Sequence, residues 1–288
     1  MRQKNEAVSR KTAIQASGLE ISEAEILLAW LLKKPRLEIM AHPEKRVPAT
    51  ALKRLAALAK KRSQGFPLAY LTGKKEFFSL DFKVSPAVLV PRPETEIMIE
   101  AALNIIKDQP ISFILDIGTG SGAIIISLAK EIKRIFPEKY RRLKFLAGDI
   151  SLPALRIARE NLRRHRLSHK VRLRRSSLLE NCSDLAISRP WLICANLPYL
   201  TKDQIAASPS ISHEPRLALN GGRDGLSLYR RLFKQIASLH LTSSFILAEI
   251  DPSQTKAIKL LAKNTLKAKM ILIKPDLAGH KRLAIIEI

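Results

Sequence analysis

The chain has 288 residues, of which 46% are hydrophobic and 26% charged, an ordinary globular balance that excludes disorder throughout and leaves room for one large domain with a small appendage. Fifty Lys and Arg against 26 Asp and Glu give a net charge of +24. That excess suits a polyanion, an acidic protein partner or ribosomal surroundings, and says nothing about fold. Cys182 and Cys194 cannot build a disulfide framework, and their spacing is no zinc signature. Both read as small buried residues of a reducing compartment. The opening MRQKNEAVSRK has no apolar signal-peptide core, and the most apolar stretch, Ile111 to Ala129, is interrupted by Asp116 and three glycines. The expectation is a cytoplasmic protein with no membrane span.

In chain order, residues 1–74 read as a helical domain. Ser22 and Glu25 form a capping-box pattern before an apolar run, and Pro35 follows where that helix should stop. A second helix begins near Pro48, with Leu52, Leu55 and Leu58 at helical spacing and Gly65 as its stop. Residues 75–92 change to aromatic and β-branched alternation broken by two prolines, a hairpin leading into an ordered loop. From about 112, apolar strands alternate with amphipathic helices: strands 113–117, 144–149, 171–175, 191–196 and 245–250, with helices 123–135, 153–165 and 253–266 between or after them. This predicts an α/β domain over 93–288, its sheet mainly parallel. The final strands, 270–274 and 282–288, are joined by a loop too short for a parallel crossover, so they must be antiparallel.

The first of these strands ends in Asp116-Ile117-Gly118-Thr119-Gly120-Ser121-Gly122. Alternate glycines let the backbone turn sharply and approach a ligand, and the helix that follows presents its N-terminus to a negative group. The spacing is GxGxG, not the dinucleotide GxGxxG. The second strand ends in Asp149, an acid placed to accept both hydroxyls of a ribose, or alternatively to cap the next helix. The fourth ends in Asn196-Leu197-Pro198-Tyr199. A planar nitrogen, with its lone pair delocalised, is a poor nucleophile. The Asn196 side-chain oxygen and the carbonyl of Leu197 can hold its two N–H bonds, aim the lone pair and stabilise positive charge as it develops. Pro198 stiffens the turn and Tyr199 offers a flat face. No metal is required for this chemistry. Read alone, each motif could be a structural turn.

Together these elements resemble class I S-adenosylmethionine-dependent methyltransferases, and Asn196–Tyr199 resembles the (Asn/Asp)-Pro-Pro-(Tyr/Phe) motif of those acting on amide or exocyclic amino nitrogens, with Leu197 in place of the first proline. Three further segments, Phe66–Gly73, Val88–Glu96 and His213–Leu226, resemble the HemK/PrmC family of protein glutamine methyltransferases. The resemblance implies S-adenosyl-L-methionine as cofactor, held by Asp116, Gly118, Thr119, Gly120, Ser121, Gly122, Asp149, Ser177, Leu178 and Asn196. It implies Asn196, Leu197, Pro198 and Tyr199 at the chemistry, with Arg92, Glu94 and Glu214 beside the substrate. It also implies peptide chain release factors as substrate, docked by the helical domain; a monomer is the expectation. Ser176-Ser177-Leu178 departs from the family's Gly-Asp after the third strand, and Glu249-Ile250-Asp251-x-x-Gln254 carries Asp251 for glycine. Two other readings stay open: an RNA adenine N6-methyltransferase, for which the charge is suited, and a catalytically weakened cofactor-binding protein that docks a partner. Between residues 133 and 175 stand 15 Lys or Arg and three acids, either a solvated face or one that contacts RNA or the ribosome. His165 and His169, four residues apart, have no acid or cysteine beside them to complete a metal site.

Overall fold

The computed structural model describes residues 8–180, 190–239 and 243–288, so Cys182 lies outside the described residues. The chain divides into two compact units. One comprises Met1–Gly73 with Ser208–His213, and the other Lys74–Ala207 with Glu214–Ile288.

The first unit holds five helices: α1 (Arg10–Ala16), α2 (Ile21–Leu32), α3 (Arg36–Ala41), α4 (Ala49–Ser63) and α5 (Leu68–Thr72). Ala24, Leu27 and Leu28 of α2 meet Ile39 and Leu55 in its core. The expected capping box at the start of α2 is absent: Glu20 stands at the N-cap and makes no side-chain cap bond. Glu25 instead pairs with Arg36 at 2.8 Å, and Glu23 with Arg62 at 2.8 Å, so tertiary ion pairs claim the carboxylates of this first turn and a half. Proline and glycine stops mark α2 and α4 in the sequence, while α1, α3 and α5 are too short to show a period. The segment Ser208–His213 joins this unit through His213, whose ring stacks on Phe66 at 3.9 Å and whose Nε2 lies 2.9 Å from the Gln64 carbonyl.

The second unit opens with a hairpin, β1 (Lys74–Phe77) and β2 (Leu80–Lys83), whose two-residue turn puts Phe78 and Ser79 in the left-handed region. Glu96 braces that turn by accepting the Phe78 N–H at 2.7 Å. There follow α6 (Glu96–Asp108), β3 (Phe113–Ile117), α7 (Ala123–Ile135), α8 (Pro137–Arg142), β4 (Lys144–Asp149), α9 (Leu152–Arg164), β5 (Val171–Arg175), β6 (Trp191–Ala195), α10 (Lys202–Ala206), α11 (Ser227–Ser238), β7 (Phe245–Glu249), α12 (Thr255–Leu266), β8 (Met270–Pro275) and β9 (Lys281–Glu287). The seven-stranded sheet runs β5-β4-β3-β6-β7-β9-β8. The first five strands in this order are parallel to their neighbours, and β9 is antiparallel to both β7 and β8. Alternation along each strand sends Ile114, Leu192 and Leu247 to one core with α6 and α7, and Leu115, Ile193 and Ile246 to the other with α11 and α12. The chain runs outward from β3 to β5, then returns to β6 beside β3. Strand order reverses there, and the carboxyl ends of β3 and β6 border an open crevice.

Candidate active site

A cavity of about 250 Å³ opens at that reversal point, walled by the loops after β3, β4, β5 and β6 and by residues 87–95. The loop after β3 turns on Gly118 (φ +72°), Gly120 (φ +56°) and Gly122 (φ +82°), a region that side chains disfavour. Gly118, Thr119, Gly120 and Ser121 line the cavity. Gly122 lies behind it, where a Cβ would stand 3.1 Å from Ile126. Asp116 is also off the wall, fully buried under the loop. The Thr119 hydroxyl donates to its Oδ2 at 2.6 Å, and the backbone of Ile125 bonds the same carboxyl. Burial pushes Asp116 up to about 7 in spite of these bonds.

Asp149, on the cavity wall, takes the Gly120 N–H on Oδ2 at 2.9 Å and the Ser151 N–H on Oδ1 at 2.8 Å. The cap of α9 is Ser151, which accepts from Ala154 N–H, so Asp149 does not serve as that cap. Burial raises its pKa against the pull of the backbone donors. Ser177 and Leu178, from the segment that departs from the family pattern, line the cavity as well, Leu178 in a left-handed conformation. The fully buried Asn161 of α9 fastens this side: it exchanges bonds with the backbone of Lys83 and donates to the Ser121 carbonyl at 2.8 Å.

Across the cavity, Asn196 follows β6 and donates from Nδ2 to Thr95 Oγ1 at 3.1 Å, which leaves Oδ1 as an acceptor. Leu197 is buried, and its side chain stands where a Cβ on Gly118 would come within 3.3 Å of it. Its backbone N–H meets the hydroxyl of buried Tyr229, which also bonds the carbonyls of Ala195 at 2.9 Å and Glu249 at 2.5 Å. A proline at 197 has no N–H for this contact. Asn196, Leu197 and Pro198 line the cavity, but Tyr199 does not: its hydroxyl donates to Glu249 Oε1 at 3.3 Å. Glu249, at the end of β7, is buried. Desolvation pushes it up to about 7, while the hydroxyls of Thr95 and Tyr199 and the charge of Arg282 oppose this and Glu94 adds to it.

Of the three residues expected beside the substrate, only Arg92 reaches the cavity. Glu94 is exposed on the one-turn helix Pro93–Thr95. Glu214 is buried and turned inward, where it pairs with Arg92 and accepts the Val90 N–H at 3.1 Å, bracing the loop that carries Arg92. The glycines after it press on the Asn196–Tyr199 turn. A Cβ on Gly221 would lie 2.5 Å from the Pro198 carbonyl oxygen, and one on Gly225 would lie 2.1 Å from that of Tyr199. Gln254 donates to the carbonyls of Tyr199 at 2.7 Å and Asp224 at 3.2 Å, tying both segments together. Asp251 stands at φ −70° and forms a capping box with Gln254, so this position does not need glycine. Thr95, Asn161 and Tyr229 carry no signal in the sequence beyond lying in or near the segments quoted above. His165 packs against Phe82 with the rings tilted by 42° and contacts the Asp81 carbonyl.

No helix among the described residues is long and apolar enough to cross a membrane. Residues 10–73 match the family model of the PrmC N-terminal domain. In overall fold the chain is similar to the human Mettl16 catalytic domain solved with a MAT2A 3′UTR hairpin, with TM-score 0.56 and 15% identity over 81% of this chain and 80% of that one. That likeness is to a class I methyltransferase fold and concerns the fold alone. Curated relatives are closer in sequence. The release factor glutamine methyltransferase of Moorella thermoacetica is 38% identical, covering 96% of this chain and 94% of its own length, and that of Coxiella burnetii is 36% identical, covering 91% and 90%. With identity of this degree along nearly the whole chain, and a glycine loop, an acid and the Asn196–Pro198 turn gathered around one cavity, the protein belongs to the release factor glutamine methyltransferase family.

Proposed function

We propose that this protein transfers a methyl group from S-adenosyl-L-methionine to the side-chain amide nitrogen, N5, of the glutamine in the Gly-Gly-Gln motif of peptide chain release factors. The observation that carries this reading is Asn196: with Nδ2 bound to Thr95, its Oδ1 is left as an acceptor on the wall of the cavity that Asp149 also lines. The residues fit the cofactor. The Gly118–Ser121 backbone suits its methionine part, the Asp149 carboxylate its ribose hydroxyls, and Leu178 with Ser177 its adenine. When bound, the cofactor supplies a methyl group on a sulfonium.

The chain's own part is positioning. Asn196 Oδ1 and the Leu197 carbonyl accept the two N–H bonds of the glutamine amide and stabilise the charge that develops on nitrogen. Arg92, held by Glu214, stands at the same wall to orient the substrate main chain. The helical domain, residues 1–74, docks the release factor, the 75–92 hairpin links it to the methyltransferase domain over 93–288, and the protein works as a cytoplasmic monomer. The net charge of +24 steers it toward an acidic partner or ribosome-associated RNA. The deciding experiment is labelled methyl transfer onto purified release factor, compared with naked ribosomal RNA. Label in the release factor, lost when its Gly-Gly-Gln glutamine is replaced, is expected. Label in RNA alone would make an adenine methyltransferase the better reading.

A further inference from the structure

Much of the positive charge between residues 133 and 175 gathers at one end of the sheet. Lys144 opens β4 and Val171 opens β5; α7 and α9 return the chain toward those amino ends, and α8 stands just before β4. Lys133 and Lys170 converge on one ring: their Nζ atoms stand 6.0 and 4.6 Å from the Tyr140 centroid, and Lys170 also donates to the Arg141 carbonyl at 3.3 Å. The end of α7, α8 and the loop into β5 therefore form one continuous face. We propose that this face binds the phosphate backbone of double-stranded RNA, at the opposite end of the sheet from the cavity. The inference goes beyond the methyl-transfer reading and does not depend on it.

Few acids answer this charge. Of the three carboxylates in the segment, Asp149 lies on the cavity wall, Glu160 pairs with Lys83, and only Glu138 sits on the face, paired with Arg141 at 2.8 Å. Glu131, at its border, pairs with Arg134. Lys133, Arg142, Arg163, Arg164, Arg166 and Arg172 are exposed and meet no acid among the described residues. Helix dipoles favour cations in a last turn, which suits Lys133, Arg163 and Arg164. They give no reason for Arg166, Lys170 and Arg172, which follow the end of α9. Like charges so close repel, and a polyanion relieves that repulsion while it releases its own counterions. An acidic protein partner would need an apolar centre to its interface, and on 131–144 and 163–175 the only exposed large apolar side chain is Ile135. Unpaired bases would need open rings to stack on, and the rings here lie under lysines: Lys139 over Phe136, Lys133 and Lys170 over Tyr140, and Lys170 over Phe145. A surface with cations and neither of these features fits the backbone of a duplex. Roughly 17 Å of strand separates Lys144 from Asp149, so RNA gripped here is held away from the cofactor site and leaves it open.

Full-length protein titrated into a fluorescein-labelled RNA duplex of about 16 base pairs tests this by anisotropy, between about 50 and 200 mM salt. Arg142→Gln, Arg164→Gln and Arg166→Gln combined should weaken binding by about 10-fold or more and lower the salt slope by about two to three. Lys256→Gln, Lys259→Gln and Lys263→Gln combined remove the same charge from exposed positions on α12, which packs on β8 and β9 at the far edge of the sheet. That variant should bind RNA nearly as wild type does. Both triple variants should keep the Kd for S-adenosylhomocysteine. Arg142→Gln alone should lower the slope by about one, which keeps the test open if the triple variant does not fold. Equal losses in the two triple variants would reduce the effect to net charge and overturn the inference. So would wild-type protein that binds no RNA at about 150 mM salt, competition between RNA and S-adenosylhomocysteine, or poly-glutamate binding that the arginine variant loses while its RNA binding persists. Failure of wild type to methylate release factor would strike the functional reading and leave this one standing.

Discussion

On the β3–β4 side of the cavity, main chain does most of the holding, with the Asn161 side chain as a single long-range fastener. Three left-handed glycines shape the loop, and the Asp149 carboxylate is pinned by two backbone N–H groups, of Gly120 in that loop and of Ser151, two residues after the aspartate. On the β6–β7 side, side chains from distant segments do it: Thr95 on Asn196, Tyr229 across Ala195, Leu197 and Glu249, Gln254 on Tyr199, and Gly221 and Gly225 giving way to the turn. A loop shaped by its own backbone depends on few other residues. A turn held by long-range contacts is placed more exactly where chemistry needs it, and it is also easier to disturb from outside. Changes of similar size should therefore have different consequences on the two sides.

The largest effect should come from Asn196→Ala, with transfer reduced by about 100-fold or more while S-adenosylmethionine binding is mostly kept. Calorimetry and turnover on one preparation check this, and near-normal turnover would remove Asn196 from the chemistry. Next stands a pair of glycines. Gly225→Ala would force a Cβ to 2.0 Å from Gln254 Nε2 and 2.1 Å from the Tyr199 carbonyl oxygen, costing about 3 kcal/mol of stability or more. Gly120→Ala meets nothing closer than 4.0 Å and should cost only the left-handed backbone penalty, about 1–2 kcal/mol. Equal losses in urea denaturation would erase the distinction between the two sides.

Asp149→Ala should weaken S-adenosylmethionine binding by about 1–3 kcal/mol through lost ribose hydrogen bonds. Burial holds the Asp149 carboxyl above its ordinary range, and only its ionised form accepts both hydroxyls. Cofactor affinity should then fall as pH drops through that raised value, and the alanine variant should lack this dependence; an identical pH profile in the two proteins would argue against it. Leu197→Pro should have the smallest effect on catalysis. It loses the N–H that meets Tyr229 and part of a buried side chain, about 1–2 kcal/mol of stability, but keeps the carbonyl acceptor. Turnover per folded molecule should be retained, and its collapse in a well-folded variant would show that the leucine itself is needed.

The sequence by itself determined the α/β alternation, the antiparallel end of the sheet and the place of the glycine loop, because these depend on local period, loop length and the conformations open to glycine. It also determined the family, since long contiguous segments match in order. Only the tertiary structure decided that Asp116 and Glu214 face inward as braces, that Tyr199 turns to Glu249 and away from the cavity, and that α2 begins one residue before Ser22, with Glu20 at its N-cap and Glu25 paired to Arg36. It alone brought Thr95 to Asn196, 101 positions away, and put Tyr229 where the missing proline would have been rigid. The physical reason is the same each time. Which way a polar side chain points is settled by the partner that satisfies it once buried, and those partners arrive from parts of the chain that no local pattern connects.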